Sequence, residues 1–294
     1  LRAGARMPAR LKRITSRDNA LYRQVHELAH SARERRKQGR SVIEGVHLCG
    51  AYAAAVGAPV QTVVAEGALA DAEVAQVLRA SEPAPSAVVS DELFRALSTL
   101  EQGVSIAFVV STPRPGLPQT LDRDSVYLDR LQDPGNVGAI LRSCAAAGVV
   151  DVLTAPQTAW CWSPKVLRAA MGAHFRLRIV ESVRFAEVAP RLAIEAVATR
   201  AVGAESLWRH DLTAPRLWIF GNEGDGVSDE VAAQVTTWLR IPQQPDVESL
   251  NVAAAAAVCL FEQRRQRQGA RGNADASAGA GSGAGAGGGD AAGS

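Results

Sequence analysis

Three stretches in the second half of the chain place polar side chains where an apolar strand gives way to a turn. In the first, residues 126–131 run into Asp133-Pro134-Gly135-Asn136. A helix is expected from about Val137, with Asn136 as its N-cap and Arg142 one and a half turns further on. Small neighbours (Ala139, Ser143, Ala145) leave room for a partner to approach Arg142 closely. In the second, residues 217–220 run into Gly221-Asn222-Glu223-Gly224-Asp225-Gly226. Glycine tolerates positive φ and lets a ligand come near the backbone. The order G-x-x-G-x-G is not the dinucleotide fingerprint, so a phosphate cradle is not the natural reading. In the third, a strand ends at Ile241-Pro242, and Ser249 is the expected cap of a long Ala-rich helix. Turns of this kind at the carboxyl edge of a sheet are where open α/β folds bind ligands.

The elements that must position these turns alternate in type. After residue 124, strands are expected at 126–131, 150–154, 196–199, 217–220 and 238–241 with helices between them, which predicts an α/β domain with a largely parallel sheet. Residues 112–124 carry three prolines and a glycine and read as a linker. Before them, helices alternate with short strands at 60–65, 87–89 and 105–110. The expected organisation is a basic extension over 1–13, a smaller α/β domain over 14–112, a linker over 113–124, a larger α/β domain over 125–267, and a Gly/Ala-rich tail over 268–294. That tail lacks core-forming side chains and is expected to be disordered.

Composition narrows the class. The 294 residues are 47% hydrophobic and 21% charged, which suits a globular protein with ample core. No run of about 18 apolar residues predicts a membrane span, and the Arg-rich start lacks the apolar stretch of a secretory signal. Four scattered cysteines without a C-x-x-C pair predict reduced thiols and a cytoplasmic setting. The net charge of +2 hides an asymmetry: up to Arg40, twelve Lys and Arg oppose only Asp18, Glu27 and Glu34. A basic region on a nearly neutral chain predicts a polyanionic partner, since each neutralised phosphate releases counterions. Arg17, Arg33, Arg35, Arg36 and Lys37 are the candidate contacts to that polyanion; a merely solvated helix face is the alternative.

One motif competes for attention. His26-Glu27-Leu28-Ala29-His30 is a literal H-E-x-x-H, which on a helix can offer zinc two imidazoles with a glutamate base between them. The extended pattern with a third histidine does not follow, and the arginines of 33–36 would oppose a dication. It is read as a chance match on a basic helix, with a zinc hydrolase built on His26 and His30 kept as a rival function. No metal is expected.

Together the three turns resemble the motifs of the SpoU (TrmH-like) RNA ribose methyltransferases of the SPOUT superfamily: D-P-G-N-V-G-A-I-L-R, then G-N-E-G-D-G-V-S-D-E, then I-P followed by V-E-S-L-N-V-A. The resemblance spans roughly residues 124–267, and the stretch 163–173 fits it as well. More loosely, I-T-S-R-D-N near Ile14 and V-I-E-G-V-H near Val42 resemble an L30e-like RNA-binding domain. The resemblance implies a C-terminal trefoil knot, a departure from the usual rule against threaded chains, and a homodimer. It also implies S-adenosylmethionine as cofactor, held largely by backbone groups at Gly221, Ile241 and Leu250 with Thr199 and Glu223 nearby. Pro245 stands where the family usually has glycine, and Gln243 where methionine is common.

The implied reaction is methyl transfer to a ribose 2'-hydroxyl of RNA, ribosomal more than transfer RNA. The enzyme must align oxygen, methyl and sulfur and stabilise charge growing on the oxygen. The resemblance assigns that charge to Arg142, reaching across the dimer. A guanidinium is effectively never deprotonated, so its role is electrostatic and not that of a base. Asn136 is expected to orient Arg142 or the ribose, Glu223 to position Asn136 or Arg142, and Ser249 and Asn251 to shape the site. An idle RNA-binding factor of the same fold is the second rival reading.

Overall fold

A computed structural model describes residues 11–100, 104–201, 203–244, 246 and 249–280. In the first half, β1 (Leu11–Ile14), α1 (Ala20–His30), α2 (Ala32–Gln38), β2 (Arg40–Glu44) and α3 (Val46–Ala55) come first. Then follow β3 (Gln61–Ala65), α4 (Ala72–Ala80), β4 (Ser86–Val89), α5 (Asp91–Leu97) and β5 (Ile106–Ser111). The strands form one sheet in the order β1-β4-β3-β5-β2. Alternation along each strand explains why both faces are buried. Val42, Val63, Val89 and Val109 enter one apolar cluster, whereas Ile43, Val64, Val88 and Phe108 enter another.

The basic extension expected over 1–13 does not hold at its end. Leu11–Ile14 is a strand, pairing in parallel with Ser86–Val89, because Ile14 is buried in the first cluster and pins the segment to the sheet. Residues 1–10 lie outside the described residues.

The second half contains β6 (Ser125–Asp129), α6 (Pro134–Ala147), β7 (Asp151–Thr154), α7 (Pro164–Ala170), β8 (Arg178–Val180) and α8 (Phe185–Val188). It continues with β9 (Glu195–Thr199), β10 (Glu205–Ser206), β11 (Arg216–Gly221), α9 (Asp229–Ala232), β12 (Thr237–Arg240) and α10 (Val252–Ala280). Its seven-stranded sheet has the order β10-β12-β9-β11-β6-β7-β8, and every pairing is parallel. In β11, Leu217 through Phe220 are all fully buried, as a central parallel strand covered on both faces requires. From β6 the chain steps to one side of the sheet through β7 and β8, then returns to build the other side. The crevice beside the carboxyl ends of β6 and β11 is therefore a topological switch point.

The proposed linker is not a free tether. Leu121 is buried, bridges to Leu192 and exchanges backbone hydrogen bonds with that segment. The apolar cluster on one face of the first sheet is continuous with the core of the second half, running from Ile43, Tyr52 and Phe108 to Leu141, Trp162 and Ala170. At the junction Tyr52 meets Phe175 edge to face at 5.2 Å. The Trp160 ring lies under the guanidinium carbons of Arg35 and Arg36, at 5.6 and 5.5 Å from its centroid.

The tail also departs from expectation. α10 continues to Ala280, through residues 268–280, because Ala, the best helix former, supports backbone hydrogen bonding even where no core can form. Residues 281–294 lie outside the described residues. The inner part of α10 is anchored by the buried Trp218 indole, which donates to Gln263 Oε1 at 2.8 Å. Among the described residues, no helix is long and apolar enough to cross a membrane.

Candidate active site

The three turns meet. β6 ends at Asp129, a buried carboxylate whose Oδ2 accepts from the Ser228 amide at 2.6 Å and so holds the end of the glycine loop against the first turn. Asn222 fastens the same two segments. Its Nδ2 donates to the Arg130 carbonyl at 2.8 Å, while its Oδ1 accepts from the amides of Gly224 and Asp225. Neither Asp129 nor Asn222 was among the candidates. The signals were present: a carboxylate closing an apolar strand, and an asparagine opening a glycine-rich turn, where its side chain mimics backbone.

The cap of α6 is Asp133 and not Asn136. Asp133 Oδ1 accepts from the Asn136 amide at 2.8 Å, with Pro134 in the first turn where its missing N–H costs nothing. Asn136, one turn inside, is thereby free to use its side chain elsewhere. Its Nδ2 donates to Glu223 Oε1 at 3.0 Å, and its Oδ1 accepts from Asn251 Nδ2 at 2.9 Å. Glu223 also accepts from the amides of Gln132 and Asp133, each at 3.3 Å. The expected cap of α10 is corrected too. Asn251 Oδ1 accepts from the amides of Ala253 and Ala254, because it stands directly before the first helical residue, whereas Ser249 is exposed and makes no hydrogen bond with a described residue. One chain of hydrogen bonds, Glu223–Asn136–Asn251, thus joins all three turns.

Beside that chain opens a cavity of about 570 Å³, within the range of small-molecule sites. Thr199, Gly221, Ile241 and Leu250 all line it, as do Glu223, Ser249 and Asn251. The Oε1 atom of Gln243, another lining residue, is buried without a hydrogen-bond partner among the described residues. An orphaned acceptor on a residue that lines the cavity suits a ligand that brings its own donors, and the hydroxyls and amines of S-adenosylmethionine are of that kind. Pro245 lies outside the described residues.

Glu223 holds its charge more readily than an ordinary glutamate. Burial pushes its carboxyl upward, but hydrogen bonds from Asn136 and from backbone amides outweigh this and hold it below the ordinary range. A carboxylate with a depressed folded pKa contributes stability in full above its unfolded pKa, about 4.3, and loses it as pH falls through the folded value. The stability gap between wild type and Glu223→Gln is expected to stay constant from neutral pH to about 5 and to shrink below about 4. Urea melts across that range measure it; a gap that widened in acid would refute the assignment.

Arg142 is not at this cavity. It lies exposed on α6, facing a second hollow beside α3, and bonds to no described residue. The chain therefore brings together Asn136, Glu223, Asn251 and the other cavity-lining residues but leaves Arg142 outside.

The basic helices hold one correction. Arg35 is 6% exposed, and its Nη1 donates to the carbonyls of Leu28 and Ala29 at 2.7 and 2.8 Å. Reaching back from α2, it terminates α1, so it is not available to RNA. Arg17, Arg33, Arg36 and Lys37 are exposed. Arg35→Ala is expected to cost about 2–3 kcal/mol, since two charge-assisted hydrogen bonds and a ring contact vanish, whereas Arg33→Ala should change stability by less than about 0.5 kcal/mol. Equal melting shifts for the two variants would contradict this.

The H-E-x-x-H residues lie on α1. His30 Nε2 donates to the Leu97 carbonyl at 3.1 Å, which occupies one of its ring nitrogens. Burial, then the neighbouring His30 and Arg17, hold His26 below the usual histidine range. No group of three possible ligands surrounds them among the described residues.

A parallel α/β sheet with a cofactor-sized cavity at its switch point, closed by three polar turns, defines a ligand-binding enzyme fold. Residues 124–261 match the model of the SpoU rRNA Methylase family. A tRNA/rRNA methyltransferase of Synechocystis sp. is 33% identical, over 86% of this chain and 93% of its own length. A 23S rRNA (uridine(2479)-2'-O)-methyltransferase of Streptomyces viridochromogenes is 31% identical, over 89% of this chain and 94% of its own. A 23S rRNA (guanosine(2553)-2'-O)-methyltransferase of Bacillus subtilis is 27% identical, over 86% of this chain and all of its own. Among solved structures, the SpoU methyltransferase AviRb from Streptomyces viridochromogenes in complex with AdoMet superposes with a TM-score of 0.76 at 26% identity, covering 85% of this chain and all of that one. The chain belongs to the SpoU rRNA methylase family.

Proposed function

We propose that this protein transfers a methyl group from S-adenosylmethionine to a ribose 2'-hydroxyl of ribosomal RNA, acting as a homodimer. The observation that carries the reading is the Glu223–Asn136–Asn251 chain at the rim of a cavity lined by Thr199, Gly221, Ile241 and Leu250. Relatives named for a uridine and for a guanosine share these folds and differ in the base, which favours the ribose as the common acceptor. Bound in the cavity, the cofactor supplies an electrophilic methyl. Glu223, ionised, fixes the Asn136 amide so that its orientation is set before substrate arrives. Asn136 and Asn251 then form a rigid polar rim that holds the ribose in line, which lowers the entropic part of the barrier.

Arg142 completes the site from the second protomer, stabilising the charge that grows on the 2'-oxygen. Its exposure away from its own cavity supports that reading, and with it the dimer that the family resemblance implies. Residues 14–112 form the RNA-binding part of L30e-like type, presenting Arg17, Arg33, Arg36 and Lys37. Four free, buried cysteines suit a reducing, cytoplasmic setting.

The test is transfer of radiolabelled methyl from S-adenosylmethionine to rRNA from a strain lacking this gene, followed by nucleoside analysis. A 2'-O-methylated nucleoside is the expected product. A base-methylated nucleoside, or no incorporation by protein that binds cofactor, would refute the reading.

A further inference from the structure

The second hollow, about 500 Å³, lies between the halves of the chain. Ala51, Ala54 and Ala55 of α3 form one wall, α6 at Arg142 and Ala146 another, and the turn from Met171 to Arg176 the third. Its shape is held by a tight junction. Gly172 has φ +85°, which favours glycine, and a Cβ there would sit 3.2 Å from the Ala51 Cβ, so any other residue would strain the turn and crowd α3. Phe175 packs on Tyr52 behind it.

Two arginines enter this hollow, Arg142 and Arg176. Both are exposed, and neither forms an ion pair or side-chain hydrogen bond with a described residue. None of the lining residues is Asp or Glu. Two uncompensated cations in one concavity with low-dielectric alanine walls focus a positive potential. Alanine walls also let a backbone come close. At the rim Met171, 59% exposed, offers an apolar edge.

We propose that Arg176 is an RNA-positioning residue: it holds a phosphodiester of the substrate in this hollow, next to the stretch that Arg142 engages. The proposal rests on the RNA methyltransferase reading above. A planar guanidinium suits phosphate through paired N–H donors, and a hollow without carboxylates gives it no competing partner. The position fits a positioning role and not a chemical one, because Arg176 is not among the residues that line the cofactor cavity of its own chain.

The test uses the full chain and the rRNA described above. For Arg176→Ala, binding by fluorescence anisotropy should weaken about tenfold at moderate salt, and the slope of log affinity against log salt should fall by about 0.7–0.9, the loss of one phosphate contact. KM for RNA should rise with kcat at saturating RNA largely kept, and calorimetric affinity for S-adenosylhomocysteine should not change. Arg176→Lys should restore the salt slope, because the charge is kept, and part of the affinity, because the paired donors are not, a split that a purely structural role would not predict. An unchanged salt slope and affinity would overturn the proposal. So would conversion of Arg176→Ala to monomers with its RNA salt slope intact, which would make the hollow a contact between protomers. Methyl transfer by the wild type separates the two readings: if it fails while the salt-slope difference stands, the proposed reaction falls and the phosphate site survives.

Discussion

Replacing Arg142 with alanine should lower methyl transfer by a factor on the order of 10²–10³, the usual cost of removing one charge-stabilising donor, while cofactor affinity stays within about twofold. The two halves of that expectation come from one geometric fact: Arg142 is outside the cavity that Thr199, Gly221, Ile241 and Leu250 line in its own protomer. A residue that does not touch the cofactor there cannot support its binding there. The cross-protomer role has a sharper check. Arg142→Ala mixed with a variant whose cofactor cavity is closed should regain activity, up to about a quarter of wild type if protomers exchange freely, because mixed dimers hold one intact composite site. Each parent alone should be far less active than the mixture when cofactor is below saturation. Absence of complementation in verified mixed dimers would put Arg142 back in its own protomer and remove the case for a shared site.

Gly221→Ala supplies that closed cavity. A Cβ on Gly221 would lie 2.3 Å from both the Gly226 carbonyl carbon and the Val227 nitrogen, which are backbone atoms that cannot rotate away. To make room the loop must open, and the paired backbone bonds between Asn222 and Gly226, at 2.9 and 3.0 Å, are the first to go. Two lost hydrogen bonds plus overpacking imply a cost of about 3 kcal/mol. Cofactor affinity should drop by at least about tenfold, because the displaced loop lines the cavity. Calorimetry and a thermal melt read the two effects separately. Gly224→Ala is the matched control: its added Cβ would meet only Asn222 Oδ1, at 3.7 Å, an ordinary contact. If the two variants behaved alike, the steric account of Gly221 would be wrong.

Much of the site was readable in the order of residues, and the reasons for what was not are physical. Strand-then-turn segments at 126–136, 216–226 and 237–251 could be found locally, because parallel strands buried on both faces are continuous apolar runs. That Thr199 and Leu250 would face one cavity came from the family resemblance and not from any local pattern. The caps went astray by proximity. Asp133 and Asn136 are both good N-caps three residues apart, and Pro134 was the cue that favoured the earlier one. Ser249 and Asn251 posed the same ambiguity. Arg35 was counted with its exposed neighbours since charge alone does not reveal that α2 folds back on the carbonyls of α1. Leu11, Lys12 and Arg13 were assigned to an extension because a four-residue strand pairing with residues 86–89 leaves no periodic trace.

On the proposed function, the shared core between the two halves would bear on how the enzyme chooses its nucleotide. A tethered binding module would search a volume around the catalytic site and tolerate varied substrates. Here Ile43, Tyr52 and Phe108 are packed into the same apolar mass as Leu141 and Trp162, so the face proposed to bind RNA and the proposed cofactor cavity are joined by one continuous core. Such a molecule works as a caliper. The span between a recognised feature of the folded RNA and the hydroxyl that is modified is built into the protein, and selection becomes a matter of length as much as of sequence.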